Sequence, residues 1–266
     1  MSIKSLVVFL INKTNYSFFC FLRNILEFVF LSQNFNLKYL KSGLYLREYK
    51  DLGSIYFPNK YRSIMYGRGA SFRLETLGKF YFLDKITFTN GDKIIDCGAN
   101  IGEINLFFKR KNINIEYYGF EPSIKDFECL KLNVENKNLF QKALWINQSI
   151  KTFYIKSNSA DSSIFEINDY ESKIDIETIN LDSLKLENIK LLKVEAEGAE
   201  PEVLLGSIET LKKCEYIVVD SGKERGRNKL ETTMEVCNLL ITNNFKLIDI
   251  NHERITLLFK NNLNNV

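Results

Sequence analysis

Histidine and closely paired cysteines are scarce in this chain of 266 residues, which argues against a zinc site. His252 is the single histidine, and none of the five cysteines forms a C-x-x-C pair. An odd number of cysteines, most of them in apolar runs, is typical of reduced, buried thiols. We therefore expect a cytoplasmic protein without disulfide bonds.

An excess of charge of one sign is also missing. The formal net charge is +3 and the pI is near 8.4, whereas nucleic-acid-binding proteins usually present a clustered basic face. We therefore expect no nucleic-acid partner. Hydrophobic residues make up 45% of the chain and charged residues 26%, so a full globular core can form.

The N-terminal segment, residues 1–36, is apolar but contains no long uncharged stretch. Lys4, Lys13, Arg23 and Glu27 interrupt it, which is typical neither of a spanning helix nor of a signal peptide. Two interpretations stay open. Amphipathic helices could cover the domain or a second subunit of a homo-oligomer. Alternatively, an aromatic face could contact the inner side of the membrane. That face comprises Phe18, Phe19, Phe21, Phe28 and Phe30.

A strand, a glycine turn and a helix start follow one another in the middle of the chain. Lys93–Cys97 has the pattern of a short buried strand, and Gly98–Gly102 that of a tight turn opening a helix. Free backbone N–H groups and the helix dipole converge at such a turn, so we predict a nucleotide pocket. A second strand, 115–120, is followed directly by Glu121, and an acid at this position can reach a ribose diol.

Asn100 distinguishes between the possible nucleotides. A dinucleotide fingerprint requires glycine at this middle position, so that the backbone can touch a pyrophosphate. S-adenosylmethionine has a ribose and an adenine but no pyrophosphate. The turn therefore favours a methyl donor, and an NAD-dependent oxidoreductase is the weaker alternative.

Strand and helix patterns alternate from 93 to 242, and a hairpin at 245–259 follows. This order predicts an α/β fold with a mostly parallel sheet, helices on both faces and an antiparallel edge. We assign 1–73 to an N-terminal extension or cap of helices and short strands, and 74–262 to the main domain.

Several single elements are also predicted. Helices are expected at 74–90, 201–213 and 230–242, and a strand at 141–146. The polar segment 157–175 is interpreted as a lid or substrate loop, with plain mobility as the alternative.

Acidic residues stand at or near the ends of predicted strands: Asp96, Glu121, Glu195 and Asp220. Glu195, Glu197 and Glu200 crowd one turn, where like charges repel unless a cation, a hydroxyl network or a helix N-terminus offsets them. We expect Glu200 to cap the following helix. Glu195 or Glu197 could have a raised pKa and act as a general base.

Four motifs together resemble the FkbM family of S-adenosylmethionine-dependent methyltransferases, over roughly residues 85–260. They are Asp96–Gly102, Phe120–Pro122, Lys142–Leu144 and Leu192–Leu204. The resemblance implies a class I methyltransferase fold, a Rossmann-like seven-stranded sheet whose last pair includes one antiparallel strand. It also implies O-methylation of a sugar or another hydroxylated acceptor.

The resemblance also implies which residues bind S-adenosyl-L-methionine. Gly98, Asn100 and Gly102 would line its methionine end, Glu121 would hold the ribose hydroxyls, and Ala143 would lie near the adenine. The full implied set is Asp96, Gly98, Ala99, Asn100, Gly102, Glu121, Pro122, Ser123 and Ala143. One position departs from the family's Lys-x-Asp-x-Glu-Gly pattern, because Glu195 replaces the aspartate and is longer by a methylene.

The chemistry expected is removal of a proton from an aligned hydroxyl. Glu195 or Glu197 is the predicted base, with Asp220 as an alternative or a positioning group. A divalent metal bridging these three carboxylates stays open. A small-molecule or glycan acceptor is expected, in polysaccharide biosynthesis at the cytoplasmic membrane face. A degenerate methyltransferase fold that serves only as a binding module is the alternative.

Overall fold

The computed structural model describes residues 14–31, 36–135, 137–156 and 161–262. The α-helices are α1 (Tyr16–Leu31), α2 (Lys60–Met65), α3 (Ala70–Phe80), α4 (Glu103–Arg110), α5 (Ile124–Asn133), α6 (Glu200–Leu205), α7 (Ile208–Leu211) and α8 (Thr233–Thr242), and Leu181–Leu184 form a 3-10 helix. The strands before the glycine turn are β1 (Lys38–Tyr39), β2 (Tyr45–Tyr49), β3 (Gly53–Phe57) and β4 (Lys93–Cys97). The later strands are β5 (Glu116–Phe120), β6 (Leu139–Phe140), β7 (Ala143–Leu144), β8 (Ile150–Ile155), β9 (Ser172–Ile179), β10 (Ile189–Val194), β11 (Cys214–Asp220), β12 (Lys223–Arg225), β13 (Leu230–Glu231), β14 (Phe245–Asn251) and β15 (Thr256–Asn261).

A seven-stranded sheet forms the centre of the molecule, in the order β14-β15-β11-β10-β4-β5-β6. β15 runs antiparallel to both of its neighbours, while β11, β10, β4, β5 and β6 pair in parallel. This order confirms the predicted class I methyltransferase fold. Successive side chains enter opposite cores, since Ile94 packs in one cluster and Ile95 in the other.

β4 occupies the position where the strand order reverses. From β4 the chain continues to β5 and β6 on one side, and later enters β10 on the other side. Ligands of open parallel sheets bind outside the carboxyl ends of the strands at such a switch point. The loops after Cys97, Phe120 and Val194 therefore surround the expected site.

The N-terminal part packs on the sheet instead of standing apart from it. β1, β2 and β3 form a small antiparallel sheet, and Phe19, Tyr45 and Leu74 belong to the same core cluster as Ile94 of β4. The predicted boundary between 73 and 74 lies inside α3, a continuous helix that cannot separate two units.

α1 buries one face against this core and exposes the other. Phe19 is buried, but Phe18, Phe21 and Phe28 are 48%, 58% and 63% exposed. The side chain of Phe30 lies outside the described residues. None of the helices in the described ranges is long and apolar enough to cross a membrane. Contact of the exposed face with a membrane or a second copy stays a prediction.

The helix predicted over 74–90 is shorter and begins earlier, at Ala70. It ends at Phe80 because Phe82 adopts the left-handed conformation (φ 54°), with Leu83 N–H donating to Gly78 O (2.7 Å) and Phe82 N–H donating to Lys79 O (3.3 Å). These two bonds make a Schellman cap. A phenylalanine is unusual at this position, so the sequence pattern did not indicate the end of the helix.

The helix predicted over 201–213 is divided into α6 and α7. A Cβ atom on Gly206 would lie 2.0 Å from the carbonyl oxygen of Trp145, so the close passage of that chain requires glycine here. The helix predicted from 230 begins only at Thr233, because Leu230–Glu231 pairs with β12.

The strand predicted over 141–146 is also wrong as a single element. β6 ends at Phe140 in the main sheet, and β7 pairs with β9 in a separate sheet that also contains β8. Residues 157–160 of the predicted lid lie outside the described residues. Its described part is anchored, since the backbones of Ser163 and Tyr154 exchange hydrogen bonds of 2.8 and 3.1 Å.

Candidate active site

A cavity of about 1070 Å³ opens over the carboxyl ends of β4, β5 and β10. Ligand pockets are usually about 300–1,000 Å³, so this cavity has room for a cofactor together with part of an acceptor. The N-terminal sheet and α2 form one wall, through residues such as Tyr39 and Arg62. The lining also includes Asp161 and Ser162 from the predicted lid.

The glycine turn after β4 is held by close backbone contacts. Gly98 has a φ of +74°, and a Cβ atom there would lie 2.1 Å from the carbonyl oxygen of Glu195. The N–H groups of Gly98 and Ala99 both donate to Phe120 O, at 3.0 and 2.9 Å. Asn100, also left-handed, lines the cavity, and its buried Oδ1 has no hydrogen-bond partner within the described chain. The turn thus presents an unpaired acceptor to the cavity.

Gly102 has a different role from the one that the resemblance implied. It does not line the cavity. A Cβ atom on Gly102 would lie 2.5 Å from Cγ2 of Val134 and 3.0 Å from Cδ1 of Leu130. Gly102 therefore permits α4 and α5 to pack closely.

Glu121, directly after β5, binds the backbone of the glycine turn. Its carboxylate accepts hydrogen bonds from the backbone N–H groups of Asn100 and Ser123, both at 2.8 Å. Burial and the neighbouring Asp126 raise the pKa of Glu121 to about 8. Pro122, Ser123 and Ala143 line the same part of the cavity. The residues predicted for the ribose and adenine therefore lie together.

Lys193 connects the ends of β4 and β10. Its Nζ lies 3.0 Å from Oδ1 of Asp96 and 3.2 Å from Glu195, and it donates to the carbonyl oxygens of Cys97 (3.0 Å) and Gly98 (2.8 Å). Burial opposes its charge, but Asp96 and Glu195 outweigh burial and raise the pKa of Lys193. Asp96 also accepts a 2.6 Å hydrogen bond from Tyr117. Lys193 therefore stays charged and fixes the glycine turn.

Glu195 is a poor proton acceptor in this arrangement. Arg254 lies 2.7 Å from one of its oxygens, and Lys193 is the second cation beside it. Burial opposes ionisation, but Lys193 and Arg254 lower the pKa of Glu195 to about 2. The structure therefore does not support the prediction that Glu195 is the base.

Glu197 has the opposite environment. It adopts the left-handed conformation (φ 49°) and lines the cavity, while Ser163 Oγ donates to its backbone oxygen at 2.7 Å. No cation pairs with its carboxylate in the part of the chain that the structure describes. Burial and the carboxylate of Glu224 raise the pKa of Glu197 well above its usual range.

Asp220 lies behind the cavity wall. It is fully buried, does not line the cavity, and lies 2.7 Å from Arg254. Burial and Glu195 raise the pKa of Asp220 to about 6. Its position suits the predicted positioning role, exerted through Arg254, better than contact with a substrate.

The arrangement does not support the open alternative of a divalent metal bridging Glu195, Glu197 and Asp220. Across the described ranges, His, Cys, Asp and Glu residues make no group of three that could hold an ion. Arg254 contacts both Glu195 and Asp220, and a cationic side chain there takes the place that a metal would need.

Glu200 binds the turn before α6 and does not cap the helix as predicted, because the N-cap of α6 is Ala199 and has no side-chain hydrogen bond. Glu200 accepts hydrogen bonds from the N–H groups of Ala196 (3.1 Å) and Gly198 (3.0 Å) and from the hydroxyl of Thr232 (2.8 Å). These donors satisfy the carboxylate although it is buried.

The sequence did not indicate several side chains around the cavity. Glu224 follows β11 on the β12–β13 hairpin, and Arg254 precedes β15, so their proximity depends on the strand order. Arg73 is only 14% exposed because it pairs with Glu103. Arg68, five residues earlier, is exposed.

Comparison with known proteins agrees with this geometry. The sequence profile of the FkbM methyltransferase domain matches residues 96–256. A curated relative, "Methyltransferase 1" of Beauveria bassiana (strain ARSEF 2860), is 27% identical over 178 residues, which are 54% of this chain and 71% of the relative. The chain belongs to the FkbM family of S-adenosylmethionine-dependent methyltransferases. This membership favours methyl transfer over the oxidoreductase alternative.

Solved structures resemble the chain more distantly. The FkbM methyltransferase of Methylobacillus flagellatus KT is 15% identical, with a TM-score of 0.45, over 76% of this chain and 55% of that protein. Fibrillarin of Aeropyrum pernix, solved with S-adenosyl-L-methionine, is 12% identical, with a TM-score of 0.39, over 84% of this chain and 91% of that protein. The chain thus spans little more than half the length of the FkbM structure.

The residues of the cavity fit S-adenosylmethionine. Asn100 offers a buried acceptor with no partner in the described chain, Glu121 offers a carboxylate directly after β5, and Gly98 lets the turn pass close to the backbone of Glu195. The cofactor of this chain is S-adenosylmethionine, and Glu121, Ser123 and Ala143, which are expected to bind its nucleoside, all line the cavity.

Proposed function

We propose that the protein methylates a hydroxyl oxygen of a sugar or glycan-related acceptor, with Glu197 as the residue that accepts the hydroxyl proton. One contrast carries the proposal: Glu195 is neutralised by Lys193 and Arg254, whereas Glu197 faces the cavity without such a partner among the described residues.

The backbone supports this division of roles. Glu197 is held in a left-handed conformation, and Gly198 after it lies so close to the β12–β13 hairpin that a Cβ atom would be 2.4 Å from Cα of Arg225. Arg225 donates to Gly198 O (2.7 Å) and pairs with Glu202. The hairpin thereby fixes the turn, and the carboxylate of Glu197 stays directed to the cavity at a small entropic cost.

S-adenosylmethionine, when bound, supplies a methyl group that is already activated by a positive sulfur. The protein must therefore align the acceptor oxygen and remove its proton. Glu197 can take that proton late in the transfer, and its raised pKa makes the ionised form a stronger base than an ordinary glutamate.

Aromatic side chains that line the cavity support a sugar-like acceptor. Tyr16 and Tyr39 are stacked with ring centroids 4.5 Å apart, and both line the cavity together with Tyr45 and Tyr61. Aromatic rings combine an apolar face with a polar edge, which suits the C–H faces and hydroxyl groups of a saccharide. Such a substrate would link the protein to polysaccharide biosynthesis.

The proposed base can be tested with amide variants. The acceptor is first found by incubating the protein with isotope-labelled S-adenosylmethionine and glycan extracts. We expect Glu197→Gln to lower kcat by about 10²- to 10⁴-fold, because a general base contributes that much. The dissociation constant of S-adenosylmethionine should change little.

Glu195→Gln is the matched comparison. It removes one of the two carboxylates paired with buried Lys193, so we expect a lower melting temperature and a smaller loss of kcat. Equal turnover of Glu197→Gln and the wild-type protein would remove Glu197 from the mechanism.

A further inference from the structure

Cationic side chains line the cavity, and three of them are bound to carboxylates. Arg73 donates two hydrogen bonds to Glu103, at 2.8 and 3.0 Å, and Arg254 lies 2.7 Å from Glu195. Lys193 is similarly paired at the end of β10. These cations therefore serve to fix the walls of the cavity.

Arg62 is the exception among the buried cations of the described chain. It is only 8% exposed and lines the cavity, yet the structure gives its guanidinium a single hydrogen-bond partner, the sulfur of Met65 at 3.7 Å. A thioether is a weak acceptor, whereas a guanidinium carries five N–H donors. Among the described residues no carboxylate pairs directly with this guanidinium, so its N–H groups are available to an anion in the cavity.

The position of Arg62 is fixed by α2. Asn59, at the N-cap, accepts a 2.8 Å hydrogen bond from the backbone N–H of Arg62, and Ser63 Oγ donates to Lys60 O at 2.7 Å. The guanidinium is therefore presented by a capped turn that is already ordered before any ligand binds.

Arg62 lies on the α4 side of the glycine turn. Glu103 begins α4 directly after Gly102, and its burial opposes ionisation. Arg73 first, and Arg62 after it, nevertheless lower the pKa of Glu103 to about 2. Tyr66, the C-cap residue of α2, donates a 2.8 Å hydrogen bond to Glu103, so α2 lies beside the start of α4. The acid at the ribose end, Glu121, follows the neighbouring strand β5.

We propose that Arg62 binds the carboxylate of the methionine part of S-adenosylmethionine. This carboxylate is the donor's single anionic group. At the end of β10, the ionised carboxylate of Glu195 would repel it. A guanidinium can hold a carboxylate through two parallel hydrogen bonds, which also fixes its direction. The proposal concerns the methyl donor and holds for any acceptor.

Two ligands isolate this contact. S-adenosylhomocysteine contains the nucleoside and the amino-acid group, whereas 5′-methylthioadenosine contains the nucleoside and the thioether without the amino acid. Isothermal titration should show that Arg62→Gln binds S-adenosylhomocysteine about 10- to 100-fold more weakly than the wild type, the usual loss for a charge-assisted bond. The affinity for 5′-methylthioadenosine should stay within about threefold, because that ligand cannot reach Arg62.

Two further variants complete the test. Arg68→Gln removes an exposed arginine that does not line the cavity, and both ligands should bind it as they bind the wild type. Arg62→Lys keeps the charge without the planar fork, so its affinity for S-adenosylhomocysteine should lie between those of the wild type and Arg62→Gln.

The outcomes are distinct. Equal weakening of both ligands in Arg62→Gln would assign Arg62 a structural role and overturn the proposal. Unchanged binding of S-adenosylhomocysteine would overturn it as well. Failure of the wild type to bind either ligand would contradict the donor site itself, independently of the proposed acceptor and of Glu197.

Discussion

At the scale of single residues, opposite environments separate carboxylates that the sequence presents as equivalents. Glu195 and Glu197 are two positions apart, yet cations hold one at a low pKa while burial and a second carboxylate raise the pKa of the other. The sequence could indicate the cluster, because the acids crowd one turn. It could not divide their roles, because Arg254 and Glu224 reach that turn only through the folding of the sheet and hairpin.

The pH dependence of the reaction follows from this environment. Glu197 must lose its proton before it can accept another, so kcat/KM should rise with pH through its raised pKa. Glu224 has a pKa of about 8, raised by burial and neighbouring acids, and its charge raises that of Glu197. Glu224→Gln should therefore move the ascending limb of the pH profile to lower pH. An unmoved limb, or a shift to higher pH, would show that Glu224 does not act on the base.

At the scale of elements, the stretch from β4 to α4 could be predicted closely because its pattern is local: an apolar strand, a glycine turn and a helix start. The ends of α3 and α6 could not be predicted from such a local pattern. Phe82 occupies a left-handed position usually held by glycine, and Gly206 is required by the chain of Trp145, which lies far away in sequence. Gly102 shows the same limit, since a motif glycine can serve packing instead of ligand binding.

The attachment of α1 depends on a buried ion pair, and its loss should be measurable. Glu27 accepts two hydrogen bonds from the buried Arg47, at 2.9 and 3.0 Å, and lies 2.7 Å from Arg23. Glu27→Gln removes the charged carboxylate that pairs with the buried guanidinium of Arg47. We expect the free energy of unfolding to fall by about 3–5 kcal/mol in urea denaturation.

An exposed pair provides the control for this prediction. Glu48 lies 3.2 Å from Lys38, and both side chains are about half exposed. Glu48→Gln should therefore cost less than about 1 kcal/mol. A similar loss in both variants would mean that the Glu27–Arg47 pair does not hold α1 to the body.

At the scale of the whole molecule, one cavity brings together parts that the sequence assigned to separate domains. The ends of β4, β5 and β10 supply the donor side, and the N-terminal sheet and α2 supply an aromatic and cationic wall. The sheet order could be anticipated from alternating strands and helices. The aromatic and cationic wall could not be anticipated, because residues from α1 to α2 carry no recognisable ligand motif. They line the cavity only after they pack on the shared core.

The most direct test of the account is the position of the transferred methyl group. The protein would be incubated with S-adenosylmethionine carrying a ¹³C-labelled methyl group and with the glycan acceptor, and the product would be examined by NMR. We predict a labelled methyl group bonded to a saccharide oxygen, absent when Glu197→Gln replaces the wild type. A label on nitrogen or carbon, or undiminished labelling by Glu197→Gln, would contradict the proposed hydroxyl methylation and its base.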